Sequence, residues 1–437
     1  MAKLESEFLG IRSPNPFWLA SAPPTDKKLN VVRAFEAGWG GVVWKTLGDQ
    51  VRNVSSRYAA NAYNGQIVSG LNNIELISDR PLSVNLREIR EVLREWPDRA
   101  LVVSLMANTT REDWHELVKR TQDTGCHGLE LNFGCPHGMN ERGMGSAVGQ
   151  DPEIAAMIVS WVMEVARVPV IVKLTPNVHS VVPTAAAVVK AGCHGLSLIN
   201  TIQSVMSIDL ETLVPSPNVG GMSTYGGYCG PAVKPIALKM LASLGQDSRT
   251  AGVPLSGIGG IGNWRDAAEF VLLGASTLQV CTAVMTHGFS IIRDLCDGLS
   301  NWMDEKGYTR IEDFCGLSLE KLTSWEKLDL NFHIHAEINE QTCIGCGKCH
   351  IACEDAAHQA IEILHGEQGN RFRVIEPECV GCNLCQLVCP VEDCITMVEA
   401  RHAPEPMTWP QYLATNPPLE RVREAGGEGS CPPGKEA

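Results

Sequence analysis

The chain has no excess of basic residues and no apolar run long enough to cross a membrane, and it is expected to carry no export signal. Its 437 residues carry 36 Lys and Arg against 50 Asp and Glu, a formal net charge of −14. That balance sets aside nucleic acid and anionic membrane surfaces as partners, because both recruit clustered positive charge. The opening MAKLESEFLGIRSPNPF lacks the apolar core of a signal peptide, and nothing approaches the ~20 consecutive apolar residues of a membrane span. The expected compartment is the cytoplasm. Cysteine is abundant, with 17 in the chain. In the absence of an export signal these are expected to be reduced thiols and metal ligands in preference to disulfides.

Two runs hold eight of them: CIGCGKCHIAC, with Cys343, Cys346, Cys349 and Cys353, and CVGCNLCQLVCP, with Cys379, Cys382, Cys385 and Cys389. This spacing is that of a segment carrying two 4Fe-4S clusters, in which three close thiolates cap one cubane and the fourth crosses to the other. One cluster is therefore expected on Cys343, Cys346, Cys349 and Cys389, and the second on Cys379, Cys382, Cys385 and Cys353. Zinc also accepts four thiolates, but usually from paired Cys-x-x-Cys units. Iron-sulfur is the preferred reading, and electron transfer the expected role of this end. Cys394 follows closely without a ligand role and is expected to be a buried neighbour of the clusters.

The length requires at least two domains. Ahead of the cysteine runs, short apolar runs alternate with amphipathic stretches, the pattern of an α/β protein with a parallel sheet. Eight runs are apparent: 17–22, 41–46, 100–107, 128–135, 168–176, 195–201, 254–261 and 277–284. Helix starts are signalled by Asp151 and Asp266, and helix ends by Gly38, Gly125, Gly192 and Gly274. Eight such units predict a (β/α)8 TIM barrel. The expected domains are a barrel over 1–305, a connector over 306–335, a ferredoxin-like domain over 336–400 and an extended tail over 401–437.

A weak repeat, EAGWGGVVWK, DTGCHGLELN, KAGCHGLSLIN and LLGASTLQVC, reads each time as helix end, glycine, then strand. Aligned on that glycine, Lys45, Asn132 and Cys281 share an offset and Asn200 lies one step on. All four are thus expected at strand C-terminal ends, the face where barrel enzymes build their active sites. GIGGIG at 257–262 matches the dinucleotide fingerprint formally, but it ends the seventh strand of a barrel and does not open a Rossmann unit. The loops after strands seven and eight of a barrel bind phosphate, so a flavin mononucleotide (FMN) phosphate is preferred over a nicotinamide dinucleotide. The glycine-rich GCPHGMNERGMGSAVGQ after the fourth strand is expected to be a mobile lid. Near its start sits Cys135, a thiol the clusters do not need and one able to supply a proton when hydride adds to a carbon–carbon double bond.

RAFEAGWG (33–40), NIELIS (73–78), LELNFGCPHGMNERGMG (129–145), KLTPN (173–177), NT (200–201), TYGG (224–227) and both cysteine runs occur in this order. Over residues 14–398 the chain resembles the flavin and iron-sulfur part of the dihydropyrimidine dehydrogenases. The resemblance implies Cys135 as general acid and Asn73, Asn132, Asn200 and Thr201 as pyrimidine ligands, with Glu75 and Ile77 contributing through the backbone. It implies Lys45 and Lys173 beside the flavin, Gly260, Cys281 and Thr282 near its phosphate, and Ala22, Thr46, Gly227 and Gly259 among the cofactor residues. Motifs for the FAD- and NADP-binding domains of the large form are missing. The implied protein is the catalytic subunit of the two-subunit bacterial type, exchanging electrons with NAD(H) through an FAD-containing partner flavoprotein.

Two other readings compete with this one. A dihydroorotate dehydrogenase shares a flavin barrel and a catalytic cysteine loop, but it requires a cationic contact for the orotate carboxylate. A non-catalytic electron-transfer module would leave the polar residues at the strand ends without a purpose.

Overall fold

The eight apolar runs form a closed barrel of parallel strands in this computed structural model, which describes residues 2–63, 66–355, 357–366, 369–400 and 404–416. The strands are β1 (Phe17–Leu19), β2 (Gly41–Leu47), β3 (Ala100–Leu105), β4 (Gly128–Asn132), β5 (Val170–Lys173), β6 (Gly195–Leu198), β7 (Leu255–Ile258) and β8 (Ala275–Val280). Sequence neighbours are barrel neighbours, and β8 pairs with β1 to close the ring. Every residue of β2, GVVWKTL, is buried. A strand covered on both faces has no solvent side to alternate toward, so its sequence reads as a continuous run.

The repeat's helix-end glycines, Gly38, Gly125, Gly192 and Gly274, all have left-handed backbone, with φ of 116°, 86°, 103° and 100°. They reverse the chain from helix into strand without a Cβ penalty. Asp151 caps its helix as expected, its Oδ1 accepting from the Glu153 and Ile154 amides at 2.9 and 3.1 Å. At Asp266 the signal lies in the first turn of its helix: Asn263 is the cap, and Asp266 is the third helical residue, accepting from the Asn263 amide at 3.1 Å. In a reciprocal capping box the third helical residue bonds back to the cap's backbone amide, so an acid there also marks a helix start.

An antiparallel hairpin, Ser6–Phe8 with Ile11–Ser13, packs at the strand N-terminal ends. Phe8 and Ile11 join Trp18, Val43, Ala100, Val102 and Ile171 in one apolar cluster there. At the other end, loops after β2 and β6 contribute a four-stranded antiparallel sheet in the order Ile202–Ser204, Gly226–Cys229, Gln66–Asn73 and Tyr58–Tyr63. Its register sets Gly227 opposite Asn73 and Ile202 opposite Tyr228.

The chain divides into two compact units, Met1–Lys321 and Leu322–Ala437. In the second, Ile334–Ile338 pairs antiparallel with Ile395–Glu399, and Ile361–Gly366 with Gly369–Val374. The two cysteine runs enter short helices, Lys348–Glu354 and Leu384–Val388. The expected extended tail holds a helix, Trp409–Thr415, while residues 417–437 lie outside the described ones. Thr408 and Gln411 form its capping box, and Trp409 stacks on Tyr412 and meets Trp325 edge-on. Proline in the first turn, which favours extended chain elsewhere, is compatible with a helix start. No described helix is long and apolar enough to cross a membrane.

Candidate active site

A cavity of about 690 Å3 opens at the C-terminal ends of the barrel strands, within the usual size range for small-molecule sites. β2 supplies Lys45 and Thr46, and the turn after β1 supplies Ala22. Asn132 ends β4, Lys173 ends β5, and Asn200 and Thr201 follow β6. Gly259 and Gly260 follow β7, and Cys281 and Thr282 follow β8. The loop-borne sheet and the segment after it add Asn73, Glu75 and Ile77, and the loop after β4 adds Cys135. The four residues aligned by the repeat therefore line one cavity. Gly227 does not line it: its carbonyl accepts from Asn73 Nδ2 at 3.0 Å, and a Cβ there would lie 2.1 Å from Thr201 Oγ1.

The asparagines are linked by their own amides. Asn132 Nδ2 donates to Thr46 Oγ1 at 3.0 Å, while its Oδ1 accepts from Asn200 Nδ2 at 2.9 Å and from the Gly134 amide at 3.2 Å. Asn200 Oδ1 accepts from the Thr201 amide at 2.9 Å. These bonds decide which end of each amide is the donor, so the row presents fixed polarity to a ligand.

Both lysines are buried against carboxylates. Lys45 Nζ donates to Glu75 Oε1 at 2.7 Å, with Asp26 3.9 Å away; Lys173 Nζ lies 3.7 Å from Glu130 Oε1. Glu75 also accepts from Arg57 at 3.0 Å and from the Tyr58 hydroxyl. Burial first, and then the Glu75 hydrogen bond, push the Tyr58 phenol well above its ordinary value. Arg57, Tyr58, Glu130 and Gln279 were not singled out from sequence. Glu130 offers one signal, an acid inside the apolar run GLELN, where an unpaired charge could not be buried.

Cys135 is 8% exposed, and burial pushes its thiol up to about 11. Its Sγ is 3.6 Å from the His137 carbonyl, and His137 Nε2 bonds the Glu75 carbonyl at 2.8 Å. The expected lid is a closely packed loop, with Met139 and Met144 clustering with Val51, Ile77, Met106 and Cys135. Its glycines permit close approach: a Cβ on Gly149 would meet the Phe133 carbonyl at 2.0 Å, and one on Gly145 the Cys135 carbonyl at 2.7 Å.

In the second unit, Cys343, Cys346, Cys349 and Cys389 line one small cavity, together with Cys394. Cys353, Cys379, Cys382 and Cys385 line another. Each set draws three thiols from one run and one from the other. Among the described residues no three His, Cys, Asp or Glu side chains converge as ligands for a single ion. Thiols spread around a void suit a cluster with iron at several corners better than one tetrahedral zinc. Gly345 and Gly347 in the first run, and Gly381 and Asn383 in the second, all take left-handed backbone, with φ of 70°, 77°, 68° and 57°. The two loops thus wrap in the same way.

A barrel with a lysine-bearing cavity at its strand ends, joined to a cysteine-lined unit of this kind, defines a flavin-dependent dehydrogenase with an iron-sulfur domain. The dihydroorotate dehydrogenase family model matches residues 3–303, and the 4Fe-4S dicluster domain model matches residues 336–397. The Escherichia coli protein described as NAD-dependent dihydropyrimidine dehydrogenase subunit PreA is 38% identical over 360 residues, 82% of this chain and 87% of its own. The chloroplastic dihydropyrimidine dehydrogenase (NADP(+)) of Arabidopsis thaliana is 45% identical over 330 residues, 72% of this chain and 76% of its own. The catalytic subunit of dihydroorotate dehydrogenase B (NAD(+)) from Pyrococcus abyssi is 35% identical over 317 residues, 72% of this chain and 99% of its own. The chain belongs to the dihydroorotate dehydrogenase family, on its dihydropyrimidine dehydrogenase side, and is an oxidoreductase.

Proposed function

We propose that this protein reversibly reduces uracil or thymine to the 5,6-dihydropyrimidine, with FMN in the barrel cavity and two 4Fe-4S clusters in the second unit. A partner flavoprotein carrying FAD exchanges the electrons with NAD(H), and the expected compartment is the cytoplasm. The observation that carries this reading is the hydrogen-bonded row of Asn132, Asn200 and Thr201 in the same cavity as Asn73, Cys135 and two buried lysines. A uracil edge alternates acceptors and donors, and primary amides of fixed polarity match it in pairs.

The residues fit FMN. Lys45 and Lys173 provide cations for the negative charge that builds on a reduced ring. Gly259 and Gly260 bring bare backbone to the cavity where a Cβ would collide with Ala237 Cβ or the Gly230 carbonyl, each at 2.9 Å. When bound, FMN would supply the hydride that reduces the 5,6 double bond of the pyrimidine. Cys135 delivers the proton to carbon 5. With its thiol pushed up to about 11, it stays protonated at neutral pH and serves as an acid. The apolar cluster around it limits water at the reacting centre.

Dihydroorotate is the alternative substrate, and its carboxylate calls for an uncommitted cation. Among the described residues lining the cavity, Lys45 and Lys173 each face a carboxylate, which favours the neutral pyrimidine. The deciding experiment mixes photoreduced protein anaerobically with uracil, thymine or orotate and follows flavin absorbance. Reoxidation by uracil or thymine is expected; reoxidation by orotate alone would reverse the assignment.

A further inference from the structure

At the end of the barrel interior nearest the cavity, Gln279 on β8 is 1% exposed and lines the cavity wall. Its Nε2 donates to Glu130 Oε2 at 2.9 Å and to Ser256 Oγ at 3.1 Å, which engages both amide hydrogens. Glu130 is wholly buried, and its Oε2 also accepts from Ser197 Oγ at 2.8 Å. A flipped amide would set two acceptor oxygens against each other, so the carboxylate fixes the orientation of Gln279. Gln279 Oε1 is then left buried with no hydrogen-bond partner among the described residues. Buried acceptors are rarely left unsatisfied, and at a ligand cavity the missing donor is most simply the ligand's.

We infer that Gln279 is a flavin-contacting residue, accepting an N–H or O–H of the cofactor, and that Glu130 is the positioning residue that holds its amide. Neither residue was among the site candidates. The inference rests on the proposal that FMN occupies this cavity. Glu130 also lies 3.7 Å from Lys173, so one carboxylate orients an acceptor and neutralises a cation on the same wall. Flavins offer two kinds of donor, the ring N–H and the ribityl hydroxyls, and either satisfies the geometry.

The test is FMN titration into the deflavinated full-length protein, followed by flavin fluorescence, for wild type, Q279M, E130Q and the double variant. Methionine keeps the length of glutamine and removes the acceptor. Q279M is expected to weaken FMN binding about tenfold. E130Q is expected to weaken it less, the double variant to match Q279M, and E130D to recover part of the loss in E130Q, because the two residues act in series. Should E130Q not fold, S256A replaces it, since it frees the other amide hydrogen. Titration with 3-methyl-FMN separates the donors: wild type discriminates against it if the ring N–H is used and accepts it if a ribityl hydroxyl is used. Wild-type affinity in Q279M, or losses in Q279M and E130Q that simply add, overturns the inference. Failure of the wild-type protein to bind FMN would instead sink the functional proposal.

Discussion

Lys45 and Glu75 meet at 2.7 Å in the cavity wall, with side chains only 6% and 7% exposed. Glu75 also holds Arg57 and Tyr58, and its backbone carbonyl takes the ring of His137. One residue therefore ties the β2 lysine to the strand Tyr58–Tyr63 and to the loop bearing Cys135.

Replacing Glu75 with Gln leaves Lys45 buried with Asp26, 3.9 Å away, as its remaining carboxylate neighbour. Removing one partner of a buried pair strands the other charge, at a cost of ~3 kcal/mol. The midpoint of thermal unfolding should fall by several degrees, and a midpoint matching wild type would show that Asp26 alone suffices.

Cys135→Ala should retain the flavin and cluster absorbance and lose at least ~100-fold in turnover, the scale of a missing general acid. For wild type the acid must be protonated, and burial holds its thiol up near 11. Turnover in the reductive direction should therefore persist through neutral pH and fall only as pH approaches that value. Near-normal turnover in the alanine variant excludes the acid role.

Gly227→Ala should weaken pyrimidine binding far more than flavin binding. Its Cβ would stand 2.1 Å from Thr201 Oγ1 and 2.7 Å from Thr201 Cβ, so Thr201 must move. Raised KM for uracil with unchanged FMN content is the expected signature. Loss of FMN instead would place the residue with the cofactor.

Cys353→Ala should remove a ligand from the site of the second cysteine run, although Cys353 lies in the first. Cys389→Ala should do the reverse. Iron content near half of wild type, with one set of cluster signals lost by electron paramagnetic resonance, is expected for each. Loss confined to the variant's own run would refute the crossed arrangement.

Buried thiols make stability sensitive to alkali. Burial pushes Cys193 up to about 12 and Cys126 up to about 11 from an ordinary value of 9.0. A group whose value is raised by folding stabilises the fold fully below its unfolded value and stops doing so as pH rises through its folded value. Stability should accordingly decline between about pH 9 and 12. Cys193→Val should flatten part of that decline in thermal unfolding measured across this range.

Several features could be read directly because their causes are local. A β2 buried on both faces writes a continuous apolar run, a left-handed turn asks for Gly38, and a cubane asks for thiols at fixed short spacing. The helix at Trp409–Thr415 was missed because proline and polar residues near a terminus read as extended chain, whereas an aromatic contact with Trp325, far back in the sequence, accompanies the helix. Glu130 and Gln279 were missed because strand residues that reach inward carry no mark of their partners, which lie on other strands.

The sequence alone determined the barrel, the two cysteine runs and the chemistry available at the strand ends, since each follows from periodicity or spacing along the chain. Tertiary structure decided which of these groups meet. The register that sets Gly227 opposite Asn73 links residues 154 apart, and the bond from Gln279 to Glu130 spans 149. Such contacts form only when the ring of strands closes, because the partners are brought together by strand order and register and not by any preference of the chain between them.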